Sequence, residues 1–522
     1  MQIPPMPFKI LALGPFSPET DTPWHDSPIK VDKTNLDEAI QRLGLSLYVP
    51  LDNSLCSAGG IDIGFEKLKD FLPDGLLQSN PVLKNILGAR EFCEESRGKS
   101  LSEEEIGARL RQWPDLPPIQ ISSPAEKPKK TSKSAVDDIL KMVALPEDKQ
   151  APGAQAGLLT DQINAILKKI LSHIFSHEDF RNFEAAWQGL QLLINQGGIN
   201  GEIQAQIVPV SFETLEETLD NLTTHLVRDL PSLVIVDLPF NNSPRSLECL
   251  EKIARFAETL LAPALCWVTR EFLHLDSWDD LNKLSFLPHH LDEPPFAKWR
   301  SLADSSSARW LAVTCNRFLA RFPYGPDNRP RLVPFQEAAP LWISPVWGVG
   351  CLVSQSVVKT GWPTRFTDWQ DIRLEDLALD MSRAGKPIAT ETAIGEDRID
   401  QFARAGITPL VGYRNKDIAF VLAEATVGKG SLSYQMFLSR ITHFVLWCKD
   451  HFDKDLNADE LEKTLYSAIS AFWQKSGDPG PKDLSISAGQ PLEDNRIPLR
   501  IVAEPTRRVL PSGEKVELEF LW

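Results

Sequence analysis

Between Glu202 and Val268 short apolar runs alternate with segments of helical period, and few folds accommodate that order. Glu202–Val210, Leu233–Asp237 and Ala264–Val268 read as buried strands, while Phe212 to about Val227 and Leu247–Leu261 carry apolar residues at helical spacing. A strand–helix–strand–helix–strand succession argues for an α/β layer structure with helices against a sheet. The start of the chain follows the same grammar. Phe8–Gly14 reads as a short buried strand ended by Gly14 and Pro15. Asp32–Leu43 reads as a helix with Leu36, Ile40 and Leu43 on one face. Ile61–Phe65 is a further strand, followed by a helix through Leu83, Ile86 and Leu87.

A chain of 522 residues exceeds one ordinary core, so two or three domains are expected. Composition breaks sharply at 113–156, where Pro114, Pro117, Pro118, Pro124 and Pro128 accompany lysine- and serine-rich stretches, as in a solvated tether. Inside it, Ser134–Val143 has the period of one short amphipathic helix, with Val136, Ile139, Leu140 and Val143 on its apolar side. Such a helix is marginal alone and needs a surface, either on its own chain or on a partner. Beyond the tether, Ile163, Ile166, Leu167, Ile170 and Ile174 form a helical stripe. Ser176 and Asp179 then suggest a capping box ahead of Phe180, Phe183, Trp187 and Leu190. Eight of the 14 tryptophans fall between Trp267 and Trp369, a density that suits a rigid core and interface better than a cofactor box.

A strand is expected at Ile418–Ala423 and a long helix at Tyr434–Phe452. At the end, Ile497, Leu499, Ile501 and Ala503 alternate with other residues, as do Val516, Leu518, Phe520 and Trp522 after Pro511-Ser512-Gly513. Two period-2 runs joined by a turn predict a hairpin, with Pro498 marking an edge position. A final strand frays unless something pairs with it. The expected fold class is therefore multi-domain α/β (α+β), with mixed sheets flanked by helices and a terminal β-hairpin for which a pairing partner is expected. The expected partition is residues 1–112, a linker at 113–156, an α/β core at 157–452, and a helix with assembly strands at 453–522.

The formal charge of −16 disfavours nucleic acid and anionic membrane surfaces, both of which call for clustered Lys and Arg. No apolar run approaches the length of a membrane span, and the opening MQIPPMPFKI is not a signal peptide. Seven scattered cysteines without a CxxC pair suit a reducing cytoplasm. Gly98-Lys99-Ser100 lacks the glycine of a phosphate loop, because Cys93 stands in its place. His173 and His177 stand four apart with no third ligand nearby and read as solvent-facing residues, as does His289-His290. Cys351 or Cys448 with His443 is a conceivable nucleophile and base, but both cysteines sit in apolar stretches where a thiol stays inert. No catalytic residue, cofactor or metal site is expected.

Several stretches together resemble the contractile sheath subunits of type VI secretion systems. Phe8–Gly14, Val31–Glu38 and Lys69–Asp74 are similar to the small subunit. Ser134–Val143, Phe183–Leu190, Arg321-Phe322-Pro323-Tyr324-Gly325, Lys386-Pro387 with Thr390-Glu391, and Leu432–Phe444 are similar to the large one. The family usually keeps these as separate chains, whereas here the tether would fuse them. The resemblance implies a helical homo-polymer around an inner tube of Hcp-like rings, attached to a baseplate. It implies contraction that drives the tube outward, and recycling by a ClpV-type AAA+ unfoldase docking on Val136, Ile139, Leu140 and Val143. It also implies linkage by exchanged strands, for which Leu499, Arg500, Ile501, Val502 and Ala503 are the candidate. A chain lacking Leu499–Trp522 is expected to keep a folded body yet form no tubes. The rival readings are a sheath of a released phage-tail-like injection particle, an α/β enzyme with an unrecognised site, and a monomeric scaffold or baseplate adaptor.

Overall fold

The computed structural model describes residues 6–18, 22–56, 58–96, 103–110, 112–113, 116, 154–227, 229–382, 386–453, 456–492 and 496–522. The expected helix of Val136, Ile139, Leu140 and Val143 lies outside these. The chain divides into two compact units, one of residues 1–43, 182–322 and 340–522, the other of 44–181 and 323–339.

The first unit is built on a seven-stranded sheet. Its strands are β1 (Phe8–Gly14), β2 (Ile29–Val31), β3 (Ile203–Pro209), β4 (Leu233–Phe240), β5 (Ala264–Val268), β6 (Leu311–Cys315) and β7 (Ile407–Pro409), in the spatial order β7-β6-β5-β4-β1-β3-β2. All neighbours run parallel except β2, which closes one edge antiparallel to β3. The N-terminal strand β1 therefore lies between two strands from far along the chain, Phe8 opposite Ile203 and Ile10 opposite Leu233. Strands buried on both faces must be continuously apolar, and FKILALG, LVIVDLPF and ALCWV are close to that limit.

Helices α1 (Glu178–Gln196), α2 (Leu215–Leu226), α3 (Pro244–Leu260) and α4 (Pro345–Thr360) follow in chain order. The start of α3 is set by Ser243, whose hydroxyl accepts the Ser246 amide, with Pro244 at the first helical position. The capping box expected from Ser176 and Asp179 does not form. The Ser176 hydroxyl instead donates back to Ser172 O at 2.6 Å in the preceding helix, Ala154–Ser176. The expected strand at Ile418–Ala423 contracts to Ala419–Phe420, paired with Val411–Gly412. Of the eight tryptophans from Trp267 to Trp369, all but Trp342 and Trp369 are buried.

The same unit carries α5 (Leu432–His451) and α6 (Ala458–Lys475), covered by an antiparallel sheet of β8 (Asp483–Ala488), β9 (Pro498–Glu504) and β10 (Val516–Leu521).

The second unit pairs strand Ser46–Pro50 antiparallel with Gly60–Gly64 and adds helices Pro73–Ser79, Pro81–Ser96 and Ala154–Ser176. Its aromatic centre includes Phe65 stacked on Phe71 at 4.4 Å and Phe175 edge-on to Phe180 at 4.9 Å. Asp74 accepts the amides of Arg331 and Leu332 at 3.1 and 3.0 Å, which ties the segment 323–339 to this unit.

Candidate assembly site

The C-terminal sheet is organised by alternation. Leu499, Ile501 and Ala503 of β9, with Val516 and Leu518 of β10, are buried against Phe437, Ile441, Leu465, Ile469 and Phe472 of α5 and α6. The opposite face is charged. Arg500 pairs with Glu517 and lies 4.0 Å from Glu519, while Glu504 binds Lys482 and, at 3.0 Å, Lys515. Hydrogen bonds from Lys482 and Lys515 hold the Glu504 carboxyl below its ordinary range.

The structure places Leu499, Arg500, Ile501, Val502 and Ala503 in the central strand. β8 pairs along one side (Ala488 opposite Leu499) and β10 along the other (Ala503 opposite Val516). Pro498 is thus not on an edge; it opens the central strand, where its carbonyl accepts Gly489 N and no ladder donor is demanded of it. The hairpin of β9 and β10 forms as the alternation implies, and it is pinned by reciprocal Ile497–Trp522 backbone bonds of 3.1 and 2.8 Å. Because β9 and β10 bury so many apolar residues, removing Leu499–Trp522 would uncover much of the apolar face that α5 and α6 turn to the sheet. The expectation of an intact body after that truncation is corrected accordingly.

The open edges belong to β8 and β10. Antiparallel pairing turns the backbone groups of alternate residues outward, and the register assigns this to Leu484, Ile486 and Ala488 on β8 and to Glu517, Glu519 and Leu521 on β10. One end of each edge is already engaged. Glu462 accepts Ala488 N at 2.6 Å, and Lys449 donates to Leu521 O at 2.7 Å. Among the described residues no strand pairs with either edge. At the same end of the sheet a groove of about 720 Å3 is lined by Lys449, Phe452, Leu456, Ile497 and Trp522.

The stretches that carried the family resemblance act elsewhere as fasteners. Arg321 grips Glu184 with two bonds of 2.7 and 3.1 Å, and the carboxylate is almost wholly buried. Glu391 receives Trp278 Nε1 at 3.1 Å and the side chain and amide of Arg317 at 2.7 and 3.2 Å. Glu424 accepts the Ser431 hydroxyl at 2.8 Å and the Ser433 amide at 3.2 Å, so it caps α5.

In α/β sheets of this type ligands enter at the carboxyl ends of the strands where the order reverses. Here the Phe16 ring lies 5.5 Å from Trp187 and 6.1 Å from Trp347, and Trp347 Nε1 donates to Asp237 at 2.6 Å. Burial pushes the Asp237 carboxyl up, against the pull of its hydrogen bonds. The chain's own aromatics occupy that position.

The other candidates stay apart. His173 is exposed, and its helix ends at Ser176 before His177. No group of three His, Cys, Asp or Glu side chains able to hold a metal occurs among the described residues. Burial pushes the Cys448 thiol up to about 12 and the Cys351 thiol further still. His443 gives its ring nitrogen to Leu260 O at 2.9 Å.

Residues 4–113 match the VipA family of the type VI secretion system. Residues 159–229 and 231–428, together just over half of the chain, match the VipB family (EvpB, tail sheath N-terminal domain). The chain belongs to the type VI secretion sheath family. In this sheath protein the VipA-like and VipB-like parts are fused in one polypeptide, and it is a structural protomer of a contractile sheath. It is similar to the type VI secretion system sheath protein TssC1 of Pseudomonas aeruginosa, with 23% identity over 384 residues, covering 64% of this chain and 75% of TssC1. Two solved structures are looser matches. The sheath tail protein of Desulfitobacterium hafniense shares 10% identity at a TM-score of 0.33, covering 62% of this chain and 64% of that one. The contracted helical sheath of the anti-feeding prophage shares 10% identity at a TM-score of 0.34, covering 64% and 77%. Likeness at that level carries no residue-by-residue correspondence. No helix among the described residues is long and apolar enough to cross a membrane.

Proposed function

We propose that this sheath protein polymerises as a helical tube in the bacterial cytoplasm, around an inner tube of Hcp-like rings on a baseplate. The tube contracts to drive protein secretion, and the chain contributes no catalysis of its own. The observation that carries this reading is the succession of VipA-like and VipB-like segments through residues 4–428 of one chain. Contraction energy would come from two packings of the same bodies, the contracted one burying more apolar surface at about 25 cal/mol per Å2.

The sheet containing Leu499, Arg500, Ile501, Val502 and Ala503 is the proposed linkage. Strand addition at an open edge gives main-chain hydrogen bonds that survive rigid-body rotation. β8 and β10 supply such edges, with β9 as the fixed central strand. The test replaces residues whose amides point away from β9, Ile486→Pro on β8 and Glu519→Pro on β10, which leaves the internal ladder intact. The expected result is a folded protomer that forms no hollow striated tubes in negative stain with at least one of the two variants. Tubes of ordinary yield and length from both would end the strand-linkage reading.

The segment of Val136, Ile139, Leu140 and Val143 is proposed to dock a ClpV-type unfoldase. Tubes of the Leu140→Asp protein should resist disassembly by such an unfoldase, and disassembly at the unmodified rate refutes the docking.

A further inference from the structure

The two ends of the C-terminal sheet carry unlike chemistry. Where β9 begins lies the groove of about 720 Å3. Its floor is apolar: Phe452 and Ile497 are buried, and the half-buried Trp522 ring lies 5.8 Å from that of Phe452. Asp453 and Asp459, both exposed, stand at its rim. Among the described lining residues Lys449 is the only cation, and it is engaged with Leu521 O at 2.7 Å. At the far end the turn from β9 to β10 exposes Arg507 and Arg508, and neither guanidinium has an acidic partner among the described residues. That turn is firmly held. Val509 and Leu510 are buried beneath it, and their amides both donate to Thr506 O at 3.0 Å. Arg365 donates to the carbonyls of Arg507 and Arg508 at 2.9 and 3.4 Å, and the Thr364 hydroxyl to that of Val509.

Each end suits the other. An arginine stem can lie along an apolar floor while its guanidinium stacks on an indole face and pairs with carboxylates at the rim. Because the turn is already fixed, little ordering opposes its docking. One copy cannot make this match by itself. β9 spans seven residues, so about 20 Å of strand separates groove from turn. The fastenings at Thr364 and Arg365 keep the turn at its own end. The arginines that enter must belong to another copy. A contact between two unlike patches of one body is heterologous, and its repetition builds an open helix when the rotation does not close. A tubular sheath needs contacts of that kind.

We propose that the groove lined by Phe452, Asp453, Asp459 and Trp522 receives the Arg507–Arg508 turn of a second copy of this chain, a head-to-tail contact between protomers. The inference rests on the sheath reading above but does not depend on the strand linkage. It uses side chains at the two ends of the sheet, whereas strand addition uses the backbone along its edges. In a chain of formal charge −16, pairing the exposed arginines with rim carboxylates also favours this register over contacts that bring two acidic faces together.

The test uses two full-length charge-reversed proteins, one with Arg507→Glu and Arg508→Glu, the other with Asp453→Lys and Asp459→Lys. All four side chains are exposed, and Arg365 holds the turn through backbone carbonyls, so both proteins should fold. Each alone should need about tenfold or more protein to form tubes, because like charges then meet across the contact. An equimolar mixture should form tubes near the unmodified concentration, since every reversed turn finds a reversed groove. Unchanged assembly by either protein alone overturns the proposal, as does a mixture that assembles no better than its components. If either protein does not fold, a map of unmodified tubes decides. It should show Arg507 or Arg508 of a neighbouring copy within about 4 Å of Asp453 or Asp459. A groove filled by solvent, an inner-tube residue or residues 117–153 of the chain refutes the contact. Failure of the unmodified chain to form tubes at all would sink the sheath reading first, and this contact with it.

Discussion

Gly189 shows how a single residue type can be dictated from a distance. The indole of Trp347 lies against α1 at this point, and a Cβ at position 189 would come within 2.4 Å of its Cδ1 atom. Gly189→Ala is expected to lower stability by about 1–3 kcal/mol through overpacking, readable as a shifted denaturant midpoint. His443 makes a different kind of demand. Burial lowers its pKa to about 4, against the opposing bond to Leu260, with Lys9 and Arg440 pushing the same way as burial. From about pH 6.5 down to about pH 4 the unfolded chain takes up a proton that the folded one refuses, so stability should fall as pH drops through that window. Above it both states are neutral and the effect vanishes. The full loss is on the order of 3 kcal/mol, and His443→Gln should flatten the urea-midpoint profile between those limits. An equal slope in the variant would show that other groups govern it.

Elements were legible in the sequence to the extent that their burial pattern was simple. β1 and β5 coincide with the expected Phe8–Gly14 and Ala264–Val268, since strands covered on both faces announce themselves as unbroken apolar runs. α4 carried no expectation, because PVWGVGCLVSQSVVKT is buried nearly all round and has no polar face to set a period. β2 and β7, three residues each, are too short to show alternation. In the candidate assembly site the apolar alternation of Leu499, Ile501 and Ala503 was readable, but the strand's central position was not. That position depends on β8, where only Leu484, Ile486 and Ala488 are apolar among serines and an aspartate, a pattern that is meaningful once β9 lies beside it. Nor does any local pattern reveal that Glu184 meets Arg321, or Glu391 meets Arg317 and Trp278. Those pairings are fixed by sheet topology, and topology is the least local property of a chain.

At the scale of the whole molecule, the place of β1 matters most. A strand drawn from the first fourteen residues is clasped on both sides by partners that begin at Ile203 and Leu233. Joining them closes a loop of nearly two hundred residues, at an entropic penalty that grows only as the logarithm of its length. During synthesis the opening strand must wait, unpaired, until both partners have left the ribosome, an interval of roughly ten to forty seconds at ordinary elongation rates. Were the two parts made as separate polypeptides, the same strand would have to find its slot by diffusion, and the yield of complete sheets would follow the scarcer chain. Tethering turns that encounter into a first-order event, independent of dilution and fixed at one to one. Each newly made molecule thus arrives with its own interior strand already aboard.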